Sequence, residues 1–98
     1  MKKIIYPGTF DPIHNGHIDI AIRASKLFDS LEFVVAKNSK KMPLFSVQKR
    51  IKMIEESIKD INNIKVSSFG GLVVDHAVKI EASAIIRGLR HVSDFEFE

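Results

Sequence analysis

Two histidines, His14 and His17, flank Asn15-Gly16 immediately after Thr9-Phe10-Asp11-Pro12-Ile13. Near the other end of the chain, Arg87-Gly88-Leu89-Arg90 sets two guanidinium groups close together. Between them lies a polar stretch, Asn38-Ser39-Lys40-Lys41-Met42-Pro43. Imidazole, ammonium and guanidinium groups without an activated nucleophile suit the handling of phosphate. The use of arginine is selective. The chain has 11 lysines and 4 arginines, and two of those arginines stand in one tetrapeptide. Where lysine is the default base, such a pair suggests a task needing the planar bidentate fork. There is no cysteine, which excludes a disulfide framework, a thiol nucleophile and cysteine-ligated metal. Two histidines without a third ligand at suitable spacing also make a poor zinc site, so no protein-held metal is expected.

These residues need a frame to bring them together. The 98 residues, 45% hydrophobic and 28% charged, suffice for one thin-cored domain. Lys3–Tyr6 reads as a short buried strand stopped by Pro7-Gly8. From Asn15, a candidate N-cap, the pattern turns helical through Ile18, Ala21, Ile22, Ser25 and Phe28. Leu31–Ala36 is the next strand. Ser46 can cap a second helix with the stripe Val47, Ile51, Ile54, Ile58 and Ile61. Ile64–Phe69 reads as a strand, Gly70-Gly71 as a turn, Leu72–Ile80 as a short helix and Ser83–Ile86 as a fourth strand ended by Gly88. Ser93 followed by Glu96 is a capping-box pattern that opens another helix.

This β-α-β-α-β-α-β-α order argues an α/β fold, an open, doubly wound parallel sheet. In such sheets ligands bind beyond the carboxyl ends of the strands. The three segments rich in chemistry all leave strands at that edge. Gly8 is expected to turn the backbone off the first strand, and Gly16 to let a ligand approach closely. His17 then projects from the first turn of a helix whose free N–H groups attract phosphate.

Thr9-Phe10-Asp11-Pro12 followed by His14-Asn15-Gly16-His17 resembles the [H/T]-x-G-H signature of the nucleotidylyltransferase superfamily, whose fold is Rossmann-like. Arg87-Gly88-Leu89-Arg90 with Asp94-Phe95-Glu96-Phe97-Glu98 is similar to a segment of its bacterial phosphopantetheine adenylyltransferase branch. The resemblance runs from Tyr6 through Glu98. It implies transfer of the adenylyl group of ATP to 4′-phosphopantetheine, giving dephospho-coenzyme A and pyrophosphate, in coenzyme A biosynthesis. It implies that His17 stabilises charge on the α-phosphate and that Lys41 and Arg87 join it in catalysis. Thr9, Phe10, His17, Gly88, Leu89, Arg90 and Glu98 would bind ATP. Thr9, Lys41, Val73 and Arg87 would bind the acceptor. Lys41 rather than Lys40 falls at the family's lysine when counting back from Phe45. His14 stands where this branch commonly carries threonine. Mg2+ would arrive on the ATP phosphates, and the family's usual hexamer implies a homo-oligomer.

An anionic phosphate nucleophile needs orientation and charge cancellation rather than a general base. Two other readings stay open: transfer to nicotinamide mononucleotide or of a cytidylyl group, and a non-catalytic nucleic-acid-binding module. A formal charge of +3 without a basic or aromatic face does not favour the module, so no nucleic-acid partner is expected. The chain has no apolar run of spanning length and no signal-peptide pattern, so a cytoplasmic protein without a membrane partner is expected. Glu98 falls five residues after Ser93, with no helix stop signal, whereas the resembling family continues for roughly another third to a half. Residues 1–98 are therefore expected to be a single, incomplete domain.

Overall fold

Alternating apolar runs and helical stripes build the expected sheet. The computed structural model describes residues 2–37, 44–70 and 73–86, with the side chains of Val73, Val74 and Ala77 excepted. Among the described residues, four strands, β1 (Lys3–Gly8), β2 (Ser30–Ala36), β3 (Ile64–Phe69) and β4 (Ala84–Ile85), alternate with α1 (Asn15–Ser25), α2 (Val47–Ile58) and α3 (Val73–Lys79). All pairings are parallel and the strand order is β3-β2-β1-β4. The crossovers through α1 and α2 step one way from β1. The crossover through α3 returns to its other side. The direction of winding therefore reverses at β1, the position where open α/β sheets form a ligand crevice.

Both faces of β2 are covered, so its sequence reads as a nearly continuous apolar run. Leu31, Phe33 and Val35 meet Ile4, Tyr6 and Ile64 under α1 and α2, which add Ala21, Ile54 and Ile58. The opposite face is smaller, with Ile5 and Val34 packed by Phe69, Ile80, Ala82 and Ile85. Here α3 lays His76 against the sheet. Its Nε2 lies 3.5 Å from Glu32 Oε2, its ring tilts over Phe69, and Ser67 Oγ donates to the same carboxylate oxygen.

Ser46 caps α2 by accepting the Lys49 N–H at 3.1 Å. The helix ends at Ile58, so Ile61 joins the core from the following turn. Strand β1 does not stop at Tyr6. Pairing with β2 continues to Gly8 opposite Val35. On the other side of β1, among the described residues, β4 pairs with Ile4 and Ile5. The cap of α1 is His14, not Asn15, which is the first helical residue. The expected loop at Asn38–Pro43, the Gly71-Leu72 step and the helix from Ser93 lie outside the described residues.

Candidate active site

The chain leaves the carboxyl end of β1 and turns at Phe10, not at Gly8. Phe10 has φ 47°, and no described glycine has positive φ. A bulky residue in the left-handed region costs on the order of 1–3 kcal/mol. Burial of its ring offsets that cost. Phe10 is 5% exposed and makes edge-to-face contacts with Tyr6, Phe33 and His17 at 5.3, 5.2 and 4.9 Å. Gly8 serves this packing, because a Cβ there would sit 2.9 Å from the tip of the Phe10 ring. Its role is to leave room for an aromatic ring rather than to bend the chain.

The two histidines form the start of α1. His14 Nδ1 accepts the Gly16 N–H at 3.0 Å, and His17 Nδ1 accepts the His14 N–H at 3.1 Å. This is a reciprocal capping box built from imidazoles in place of hydroxyl and carboxylate. The rings stack with centroids 3.6 Å apart. A Cβ on Gly16 would meet the His14 ring at 2.8 Å, so its bareness accommodates the cap, where the sequence suggested room for a ligand.

The cap fixes the chemistry of His17. Nδ1 is an acceptor, so the neutral ring carries its proton on Nε2. Burial against Phe10 and Tyr6, with the neighbouring His14 imidazole as a second cause, pushes the His17 pKa down to about 4. Protonating Nδ1 would also break the cap. At neutral pH His17 is therefore an uncharged N–H donor at the end of β1.

A pH dependence of stability follows. The folded pKa of about 4 lies below the ordinary 6.5, so the unfolded chain binds more protons between these values. This contribution is full above about pH 6.5 and is lost as pH falls toward 4. Because the ring is half-exposed, solvent screening reduces it to on the order of 1–2 kcal/mol. Urea denaturation at pH 7 and pH 5 should show a larger loss for the parent than for His17→Gln. Equal losses would contradict this account.

Of the other residues singled out in the sequence, Thr9 stands beside Phe10 at the same strand end, half-buried. Val73 opens α3, but its side chain lies outside the description. Lys41, Arg87, Gly88, Leu89, Arg90 and Glu98 lie outside the described residues. Their segments follow β2 and β4, the neighbours of β1 on either side. Among the described residues, no group of three or more His, Cys, Asp or Glu side chains could hold a metal ion.

Two residues escaped the sequence reading. Arg50 is 3% exposed, and its guanidinium donates to the carbonyls of Phe45, Thr9 and Ala36 at 3.0, 2.9 and 3.4 Å. The Asp11 carboxylate accepts the N–H groups of Leu44 and Phe45 at 2.7 and 2.9 Å. Arg50 did leave a signal. It follows Val47 by three and precedes Ile54 by four, so it lies within the apolar stripe of α2. A charge there requires polar partners.

Comparison with known proteins agrees with this geometry. The chain is 53% identical, over its whole length, to the phosphopantetheine adenylyltransferase of Dictyoglomus turgidum, of which it covers 61%. It is 55% identical to that of Caldanaerobacter subterraneus subsp. tengcongensis, again over the whole chain and 61% of the relative. The chain thus spans about 60% of the length of these relatives. Among solved structures, a lipopolysaccharide core biosynthesis protein from Thermoplasma volcanium GSS1 aligns with TM-score 0.72 at 27% identity, covering 93% of this chain and 77% of that one. A bifunctional NMN adenylyltransferase/ADP ribose pyrophosphatase from Francisella tularensis shares the fold, with TM-score 0.74 at 17% identity over 98% of this chain and 34% of its own. The parallel Rossmann-like sheet and the imidazole-capped helix after its first strand fall within a cytidylyltransferase-like family match that spans residues 5–98, and the chain belongs to that family.

Proposed function

We propose that this chain is part of an enzyme that transfers the adenylyl group of ATP to 4′-phosphopantetheine, yielding dephospho-coenzyme A and pyrophosphate. The observation that carries the reading is similarity over every residue of the chain to proteins named phosphopantetheine adenylyltransferase. The geometry supports the chemistry. A terminal phosphate oxygen of the acceptor attacks the α-phosphorus of ATP. The bond from that phosphorus to the bridging oxygen breaks, and pyrophosphate leaves. No proton need be removed from the nucleophile, so the protein's work is alignment and charge stabilisation.

His17 is suited to the α-phosphate because its Nε2–H is a fixed donor that needs no reorganisation as charge develops. The positive dipole end of α1 adds to the attraction for phosphate there. The buried Phe10 ring leaves its backbone, with Thr9, for the nucleotide. Lys41 and Arg87 would orient the acceptor phosphate, with Thr9 and Val73 also on the acceptor. Gly88, Leu89, Arg90 and Glu98 would complete the ATP site, Arg90 on the outer phosphates. Mg2+ carried by the ATP phosphates would neutralise part of their charge.

Pyrophosphate release by the full gene product tests this reading. ATP with 4′-phosphopantetheine should turn over. Replacing ATP by CTP, or the acceptor by nicotinamide mononucleotide, should lower kcat/KM at least about ten-fold. Equal use of either alternative would overturn the proposal.

A further inference from the structure

We propose that Arg50 and Asp11 are positioning residues, closing a ring of hydrogen bonds that holds Thr9 and Phe10 in register with His17. The ring can be traced atom by atom. Arg50 Nη1 donates to the Thr9 carbonyl, and Arg50 Nε donates to the Phe45 carbonyl. The N–H of Phe45 returns to Asp11 Oδ1, and the N–H of Leu44 binds Asp11 Oδ2. Asp11 is two residues from Thr9, so the circuit closes through the backbone of Phe10. A further contact, Arg50 Nη1 to the Ala36 carbonyl at 3.4 Å, ties the circuit to the end of β2.

The segments joined here are the ends of β1 and β2 and the entrance to α2. They do not otherwise share a sheet ladder at these residues. A buried guanidinium is a poor way to gain stability, because its desolvation cost offsets most of what its contacts return. An apolar residue would serve the α2 stripe at least as well. What only the guanidinium supplies is simultaneous bonding from two differently directed nitrogens to separate carbonyls. The beneficiary is Phe10. Its backbone stands in the left-handed region between the two anchored residues, and its ring edge meets His17 at 4.9 Å. Arg50 thus reaches the His17 imidazole through Phe10 without touching it.

The pKa of His17 is a useful readout, since burial, to which Phe10 of this loop contributes, is the larger of the two causes that lower it, the neighbouring His14 imidazole being the other. The ring would be followed by 15N-edited NMR titration in the parent, Arg50→Lys and Asp11→Asn proteins, alongside thermal denaturation. In both variants the His17 pKa should rise by about one unit or more toward the ordinary value. The double variant should shift it little beyond the larger single shift, because either change opens the same ring. Ile58→Val, a core change on the same helix, should lower the melting temperature without moving the titration. The titration needs no substrate, so its outcome is separate from that of the proposed adenylyl transfer. Resting on that transfer, kcat of the full gene product should fall at least about ten-fold in Arg50→Lys, with a smaller change in KM for ATP. A folded Arg50→Lys protein with the parent's His17 titration would overturn the proposal. If Arg50→Lys does not fold, an unchanged titration in Asp11→Asn would do so.

Discussion

Replacing His17 with alanine is expected to lower kcat for the proposed adenylyl transfer by roughly 10²–10³-fold, with little change in KM for ATP. The split follows from how the imidazole is held. Its Nδ1 is occupied by the His14 N–H and its ring edge is packed by Phe10, so Nε2–H has one orientation. A donor fixed before the reaction acts most strongly where charge develops, which in the proposed transfer is on the α-phosphate oxygens in the transition state. In the proposed site ground-state ATP would also be held by other groups, so its binding should survive. The substitution also removes half of the capping box, at a cost of about 1 kcal/mol in stability. Thermal denaturation in parallel separates that loss from the kinetic one. Unchanged turnover in a folded His17→Ala protein would remove His17 from the mechanism.

Phe10→Ala is expected to destabilise the fold by about 3–5 kcal/mol, read by urea denaturation. The ring is nearly fully buried and joins Tyr6, Phe33 and His17, so its loss leaves a cavity where the loop meets the sheet. Alanine does not relieve the backbone, which stays at positive φ. Glycine does, so Phe10→Gly should be no worse than Phe10→Ala, the reverse of the usual order in regular structure. The His17 pKa should also rise in both, because the burial that lowers it has gone. A loss below about 1 kcal/mol would mean that the aromatic cluster does not hold the loop.

Several features of this protein are set by local pattern and were legible in the residues alone. Ser46 before the stripe Val47, Ile51, Ile54 and Ile58 defines α2, because a cap and a helical period need only neighbours in sequence. Leu31–Ala36 reads as a strand, and its nearly continuous apolar run reflects cover on both faces of β2. The order of elements then dictates the parallel sheet and the edge on which Thr9 and His17 stand. Cap identity was misassigned to Asn15. Asparagine is the better cap by propensity, but here the reciprocal bonds of the His14 and His17 imidazoles to the backbone, with the two rings stacked, form the cap. Gly8 was expected to bend the chain and Gly16 to admit a ligand, and both were recognised for the wrong reason. What occupies their missing side-chain space is a ring from two residues away in each case, and its direction depends on the folded loop. Tertiary structure alone decided the work of Asp11 and Arg50. Apart from the bond of Arg50 to the nearby Phe45 carbonyl, their hydrogen bonds to Leu44, Phe45, Thr9 and Ala36 join residues 14 to 41 positions apart, and sequence spacing carries no record of which distant carbonyl or amide will lie within reach. The same holds for His17. Its position could be read from the signature loop, but its neutral state and its Nε2–H tautomer come from burial and from a bond to the backbone of His14, which exist only once the chain has folded.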